Sequence, residues 1–163
     1  MAKAKFTMHD FDYILSRISG MSTDLAKAGL YAAAGVYADA VRQRLNGLPA
    51  VSDTYNIIAY REGKPGRLSD EQKAGLQAGL GITPMRNKGG AWNLRIGFDG
   101  YNGVATDKWF HGQPNIMIAA MTEHGSSTFE KQPFIRPARE QSNEAAMRAA
   151  EAAIAELIKK TTK

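Results

Sequence analysis

The sequence contains no cysteine among its 163 residues. Disulfide bonds, thiolate metal sites and a cysteine nucleophile are therefore excluded, and the composition fits a protein made in a reducing cytosol. No uncharged run approaches the roughly 18 residues that a membrane span needs. The first ten residues, MAKAKFTMHD, contain no apolar segment before a cleavage site. We therefore expect a soluble protein with no leader, no anchor and no membrane partner.

Side chains that commonly act in catalysis or metal binding are few and scattered. The three histidines, His9, His111 and His124, have no second His, Asp or Glu at the spacing of known metal ligands. Glu123 is adjacent to His124, so on a helix the two side chains would point apart. No G-x-S-x-G motif marks a nucleophilic serine. We therefore predict that the protein is not an enzyme and binds no cofactor or metal.

The formal net charge of +5 is modest, and its distribution matters more than its total. Basic residues outnumber acidic residues between 61 and 88, but no aromatic residue lies between Arg61 and Lys88 to stack on bases. Specific nucleic-acid binding is therefore not the favoured interpretation. A basic DNA-binding accessory protein remains the alternative function.

The apolar content of 44% and the charged content of 23% are typical of a globular protein, so we predict one domain over residues 1–163. The pattern of residues 25–45 predicts a long helix. No charged side chain occurs between Lys27 and Asp39, which indicates burial on most sides. Ahead of this helix, an extended stretch at 5–8 and a short helix at 11–18 are predicted.

A second long helix is predicted over residues 138–160. One of its stripes is expected to face the core: Met147, Ala150, Ile154, Leu157 and Ile158. A second stripe is rich in alanine and suits close packing, either within the chain or against another subunit: Ala146, Ala149 and Ala153.

The middle of the chain changes to a period of two. Apolar residues (Trp92, Leu94, Ile96, Phe98) alternate with polar ones (Asn93, Arg95, Asp99), which predicts a hairpin with its turn at 87–90. Short helices are predicted from Ser69 and at 116–121, and residues 104–112 could add a strand. Together these patterns predict an α+β fold: a small antiparallel sheet with a hairpin, packed against a long helix of the N-terminal half and a long C-terminal helix.

Residues 49–68 form a long connection with a possible strand at TYNIIAY, residues 54–60, and a turn at GKPG, residues 63–66. Connections of this length are often functional. We therefore predict that 49–68 is a mobile arm whose segment 55–67 docks onto a partner. Its candidate contact residues are Tyr55, Tyr60, Arg61, Lys64 and Arg67.

The stretch QPFIRPA, residues 132–138, sets two prolines around an aromatic residue and an arginine. The first proline holds its surroundings extended, and Pro137 suits the first position of a helix. We therefore predict a fixed elbow in which Phe134 fills the core and Arg136 contacts a partner. Gln132 is a further candidate for partner binding.

The stretch MTEHGSSTFEKQPFIRPARE, residues 121–140, resembles the end of the lambdoid tail-component family of long-tailed phages and prophages. Upstream, RLNGLP, LGIT and LRIGFDGYN are similar to that family in the same order, so the resemblance spans nearly the whole chain. The resemblance implies an α+β structural virion protein that acts in tail completion or head-to-tail joining at the phage neck.

The same resemblance implies the partners and the location of the protein. The partners would be other copies of this chain in a homo-oligomeric ring, which could be a hexamer, and neighbouring neck and tail proteins. The protein would reside in the virion neck or tail, after assembly in the host bacterial cytoplasm.

Overall fold

The structure, a computed structural model, describes residues 21–162. The strand predicted at 5–8, the helix predicted at 11–18 and His9 lie outside these residues. The described part contains five helices and two small antiparallel sheets, which confirms the α+β prediction. In chain order the elements are α1 (Ser22–Gly47), α2 (Asp53–Arg61), α3 (Asp70–Gly79), β1 (Leu80–Ile82), β2 (Arg86–Lys88), β3 (Ala91–Asn93), β4 (Ile96–Phe98), α4 (Asn115–His124) and α5 (Ile135–Thr161).

The two long helices, α1 and α5, pack antiparallel along each other and support the other elements. Near one end, Gly29 of α1 lies so close to Ile154 of α5 that an added Cβ would be 2.8 Å from its Cδ1 atom. Further along, the Tyr37 hydroxyl donates a hydrogen bond of 2.5 Å to the Asn143 side chain. The pair is therefore held by close packing at one point and by a polar contact at another.

The seam between α5 and α1 takes residues from both predicted stripes, and the predicted core position of Met147 is wrong. Ala146 is fully buried, Ala149 is half-buried, and Ala150 and Ile154 lie against Gly29 of α1, whereas Met147 is 53% exposed. Small side chains at Gly29 and Ala150 allow the two helix backbones to approach closely.

The four short strands form one antiparallel ribbon with a break in the middle. β1 pairs with β4 and β2 pairs with β3, and the turn between β2 and β3 contains Gly89 and Gly90 at positive φ, as the predicted hairpin requires. The ladder stops near Pro84, which has no N–H to donate. Along the second half, Phe98 is buried while Arg95 and Asp99 are exposed, so the predicted alternation of faces is confirmed.

Two predicted strands are absent from the described residues. Residues 54–60 lie in α2, where the Ser52 hydroxyl accepts the Tyr55 N–H at 3.3 Å and caps the helix. This cap and the hydrogen bonds of the Asn56 side chain to the backbone of Arg67 support the helix despite the strand preference of its two isoleucines. Residues 104–112 form turns, in which the backbones of Thr106 and Trp109 exchange two hydrogen bonds.

A buried polar junction attaches α3 to the loop that follows β4. The Asn115 side chain donates to the carbonyl oxygens of Gly75 and Asp99, at 2.9 and 2.7 Å. A Cβ at Gly75 would lie 2.5 Å from the Cβ of Asn102 and 2.8 Å from Oδ1 of Asn115. Because both asparagines are buried, glycine is the residue that lets α3 approach them.

The apolar core lies between α1, α3, α4 and the start of α5. Phe134 and Phe98 meet there edge to face, with ring centroids 5.8 Å apart. The buried members of the core are Val41, Leu45, Leu68, Leu76, Phe98, Ile118, Ala119, Phe129, Phe134 and Ala138.

The close approach at Gly75 can be tested by comparing alanine substitutions at two helical glycines. Gly75→Ala should lower the free energy of unfolding by about 1 to 3 kcal/mol, because the new methyl group overpacks the asparagine junction. At Gly35, inside α1, nothing lies within 4 Å of an added Cβ, so Gly35→Ala should raise stability by about 0.5 to 1 kcal/mol. Urea denaturation of both variants measures the difference, and equal effects would contradict the junction.

Candidate functional site

The elbow between α4 and α5 is held by the carboxylate of Glu123. This residue lies in the last turn of α4 and is 6% exposed. Its two oxygens accept the backbone N–H groups of Phe134, Ile135 and Arg136 at 2.7, 2.7 and 2.9 Å. N–H groups at the start of a helix have no partner within that helix. Glu123 therefore caps α5 from a neighbouring helix.

The elbow hydrogen bonds also decide the ionisation of Glu123. Burial by itself raises the pKa of this carboxyl group, but the backbone hydrogen bonds from Arg136, Ile135 and Phe134 and the nearby His124 outweigh burial. The net result is a pKa below the ordinary value for glutamate. The structure thus favours the charged carboxylate, which also interacts favourably with the positive end of the α5 dipole.

The helix after the elbow begins earlier than predicted. α5 starts at Ile135 rather than at residue 138, so Pro137 is its third residue and not its first. Proline is tolerated there because N–H groups of the first turn lack an intrahelical acceptor. Phe134 is fully buried, as a core anchor must be. For the same reason it is inaccessible to a partner, and its assignment as a partner contact is wrong.

The other two elbow residues differ in exposure. Gln132 is half-buried, its backbone N–H donates to the Thr122 carbonyl at 2.7 Å, and its side-chain oxygen is buried. Arg136 is exposed, and its guanidinium donates to the Glu140 carboxylate at 2.8 Å. Arg136 is therefore the elbow candidate whose side chain a partner can reach.

The segment predicted as an arm is held to the core by its ends and its middle. Val51 forms a parallel backbone bridge with Ser69: the Val51 N–H donates to the Leu68 carbonyl, and the Val51 carbonyl accepts the Asp70 N–H, both at 2.9 Å. The Asn56 side chain then accepts the Arg67 N–H at 2.9 Å and donates to the Arg67 carbonyl at 2.8 Å. These bonds close the segment into a loop with α2 at its outer side.

The same segment is joined to the polar loop before the elbow. Gly66 and Glu130 are linked by a backbone hydrogen bond of 2.8 Å, and the Gly66 N–H donates to the Thr128 carbonyl at 2.9 Å. The Arg67 guanidinium forms a salt bridge with the Glu130 carboxylate. The hydrogen bond to Glu130 and then its charge raise the pKa of Arg67. Arg67 therefore links two parts of the chain, rather than standing free for a partner.

α2 exposes an unusual amount of apolar surface for a nine-residue helix. Its only buried residue is Ala59, and Tyr60 is 82% exposed. We define the α2 face as its four exposed large apolar side chains: Tyr55, Ile57, Ile58 and Tyr60. The two tyrosines are among the predicted contact residues, whereas the two isoleucines are not. Several exposed large apolar side chains on one short helix commonly mark an interaction site.

Two open grooves lie on either side of α4. One, of about 860 Å³, runs beside α2, with Ile118 and Met121 of α4 in its wall. The other, of about 650 Å³, lies between α1, β4, α4 and the start of α5. We call the second the β4 groove, and its apolar lining includes Leu94, Ile96, Ile116, Ala120 and Ile135.

Several basic residues of the 61–88 region are engaged within the protein. Lys64 pairs with Glu62 at 2.8 Å, and Arg67 pairs with Glu130. The Lys73 ammonium group donates to the carbonyl oxygens of Asn46 and Leu48, at the C-terminal end of α1. The remaining basic residues of this region, Arg61, Arg86 and Lys88, are exposed.

Searches for known relatives and recognisable sites gave no assignment. No protein-family model matches the sequence, and neither a curated protein nor a solved structure is significantly similar to it. Between residues 21 and 162, no helix is long and apolar enough to cross a membrane. Over that same range, no three His, Asp or Glu side chains are grouped so that they could hold a metal ion.

The Glu123 cap predicts a specific loss of stability. Glu123→Gln should lower the free energy of unfolding at neutral pH by about 1.5 to 3 kcal/mol, because hydrogen bonds to a charged acceptor are replaced by weaker ones. Glu144→Gln, which changes an exposed residue paired with Arg148, should stay within about 0.5 kcal/mol of wild type.

The lowered pKa of Glu123 also sets the pH dependence of that loss. Above the ordinary glutamate pKa of about 4.3 the stabilisation is fully present. It is lost as the pH falls towards the lower pKa of the folded state, because the unfolded chain binds the proton first. The gap between wild type and Glu123→Gln should therefore narrow in acid. Urea titrations of both proteins at neutral pH and in acid measure this gap in the free energy of unfolding. A gap that does not change with pH would contradict the charged state assigned to Glu123.

The Asn56 bonds predict local loosening of α2 when they are removed. Asn56→Ala should lower the local stability of α2 by about 1 to 2 kcal/mol, which corresponds to roughly 5- to 30-fold faster amide exchange. Exchange in α1 and α5 should not change. Thr54→Ala, at an exposed position of the same helix, is the matched control. Unaltered exchange in α2 of the Asn56 variant would show that other contacts hold the helix.

Proposed function

We propose that the protein is a structural subunit of a phage or prophage tail that acts in tail completion or head-to-tail joining at the neck. In this proposal copies of the chain form a ring and contact the neck and tail proteins on either side. The protein works through shape and contact, without catalysis. The sequence resemblance supplies the place of action, and the α2 face is the observation that supports an assembly role.

The α2 face suits such a role because it is both apolar and held in place. Tyr60 and Ile57 are mostly exposed, while Asn56 of the same helix is bonded to the backbone of Arg67. A surface that is ordered before binding loses little conformational entropy when a partner arrives. A joint between two particle components benefits from this arrangement, because each contact is formed without refolding.

Arg136 extends the proposed contact to the elbow. Its backbone N–H is fixed by Glu123, whereas its side chain is exposed beside Glu140. The guanidinium group of an arginine whose backbone is held in place can form bidentate hydrogen bonds with a carboxylate of the next protein. We therefore keep Arg136 as a partner contact and assign Glu123 the positioning role behind it.

The DNA-binding alternative is less well supported. Lys64, Arg67 and Lys73 are used in contacts within the chain, which leaves a smaller set of basic side chains for phosphates. Binding to DNA would become weaker with added salt, in proportion to the number of phosphates contacted. A steep salt dependence of duplex binding would favour this alternative.

The proposal can be tested by complementing a gene deletion in a phage or prophage that carries this gene. Tyr60→Asp should fold with a stability close to wild type, because its side chain is 82% exposed. It should nevertheless lower the yield of joined, infectious particles by roughly 30-fold or more, the effect of losing an interface hot spot of about 2 kcal/mol. Plaque counts and electron microscopy of the particles measure this yield.

Met147→Asp is the matched control, since it places the same charge on an exposed apolar position of α5 outside both grooves. It should complement normally. The proposal as a whole fails if deleting the gene leaves complete and infectious particles. Normal complementation by Tyr60→Asp would remove only the α2 face from it.

A further inference from the structure

The ribbon formed by β1 to β4, residues 80–98, carries basic side chains and no acidic ones. From Gln72 to Phe98 the sequence contains no Asp or Glu. The ribbon has three cationic side chains, and all three are exposed: Arg86, Lys88 and Arg95. None of them forms a salt bridge with another residue between 21 and 162. The ribbon therefore presents three positive charges that the described part of the chain does not pair.

The register of the strands places the three cations on one face of the ribbon. Residues paired across an antiparallel ladder share a face, and neighbours along a strand alternate between faces. Arg86 pairs with Asn93 and lies two residues from Lys88 on the same strand. Arg95 follows Asn93 by two residues on the other strand, and the exposure of residues 91–96 alternates accordingly. The opposite face carries the less exposed apolar side chains: Trp92, Leu94, Ile96 and Phe98.

We define the basic face as the side of the ribbon that carries Arg86, Lys88 and Arg95. Gly81 and Gly97 are paired on this side, two residues beyond Arg95 along β4. Apart from chain neighbours, no heavy atom lies within 4 Å of a Cβ added to either glycine. Glycine weakens a strand, and it often marks a place where a ligand or another backbone approaches closely. Since nothing in the described chain approaches this pair, the space in front of it is open to a partner.

The cations form a short row along the ribbon. Arg86 and Lys88 are separated by roughly 7 Å along the strand, and Arg95 lies diagonally opposite Arg86 at roughly 7 to 8 Å. The ribbon is only two strands wide, with the strands about 4.8 Å apart. The major groove of B-DNA is about 12 Å wide and admits a two-stranded ribbon. The basic face can therefore reach the phosphates of a duplex without obstruction from the rest of the ribbon.

The side chains of the basic face favour DNA over an acidic protein as the partner. The core of a protein–protein interface is usually depleted in charged residues, and its strongest contacts often come from aromatic side chains. The large apolar side chains that are exposed between residues 21 and 162 all lie outside the ribbon. Protein–DNA interfaces are more polar and much more positively charged. A face of cations, glycines and one amide is typical of the second kind.

We propose that the basic face binds the phosphate backbone of duplex DNA without reading its sequence. Arg86, Lys88 and Arg95 each contact a phosphate, and the paired glycines let the DNA backbone lie close to the ribbon. The inference goes beyond the proposed function, which depends on the α2 face and Arg136.

The proposal is tested on the full chain by fluorescence anisotropy with a labelled DNA duplex. The ribbon variant replaces all three cations: Arg86→Gln, Lys88→Gln and Arg95→Gln. The matched control replaces three exposed lysines elsewhere: Lys27→Gln, Lys131→Gln and Lys159→Gln. Both variants lower the formal net charge of +5 by three, so only the position of the lost charges differs. Thermal melting checks that both variants are folded.

Three phosphate contacts predict a slope of about −2.7 when the logarithm of affinity is plotted against the logarithm of salt concentration. Wild-type binding should therefore weaken roughly 40-fold between about 50 and 200 mM salt. The control should keep this slope, whereas the ribbon variant should lose most of it and bind roughly tenfold weaker or more at the lower salt concentration. No binding by wild type at low salt, or an equal loss in both variants, would overturn the proposal.

Poly-L-glutamate is the competing probe, because it offers anionic charge on a polypeptide. Its chain must be ordered on binding, whereas the phosphates of a duplex are already held in place. At equal charge concentration it should displace the labelled duplex roughly tenfold less effectively than unlabelled duplex does. Equal displacement would overturn the assignment to DNA phosphates.

These measurements are independent of the proposed function. If the ribbon variant binds DNA as wild type does, the inference fails while the assembly role of the α2 face still stands or falls with Tyr60→Asp. If the ribbon variant loses binding but gene deletion leaves complete particles, the DNA contact is real and the neck role is wrong.

Discussion

Glu123, on α4, joins that helix to the start of α5. Its carboxylate satisfies the first N–H groups of α5, and its position on α4 fixes where α5 starts and which way it points. The cost of burying a charge is met by three backbone donors and the helix dipole, which is why the pKa of this buried glutamate lies below its ordinary value. With α5 so placed, Phe134 reaches Phe98 in the core and α5 packs along α1.

The rest of the fold depends on close approaches that small residues permit. Alanines let α5 lie against α1, and Gly75 lets α3 rest on two buried asparagines. Several large apolar side chains nevertheless remain exposed. The α2 face is the clearest example, since Asn56 and Ser52 hold the helix in position while its isoleucines and tyrosines remain exposed. The proposed assembly role requires this combination of an ordered helix and exposed apolar side chains.

The polar loop before the elbow connects these two features. Gly66 and Arg67 bond to residues 128–130, so α2 is tied to the segment that leads into the Glu123 cap. The connection consists of two backbone hydrogen bonds and one salt bridge.

The sequence by itself determined the elements whose signals are local. The period of the long helices, the Gly89 and Gly90 turn, the alternation before Asp99 and the proline-flanked Phe134 all depend on near neighbours, and they were predicted in type if not in their limits. Only the tertiary structure decided which residues of α5 face α1, that the TYNIIAY segment is a helix with its isoleucines outside, and that Glu123 caps α5 across the elbow. Burial and long-range hydrogen bonds depend on which elements pack together. Because those elements are distant in the sequence, the pattern of near neighbours does not predict their contacts.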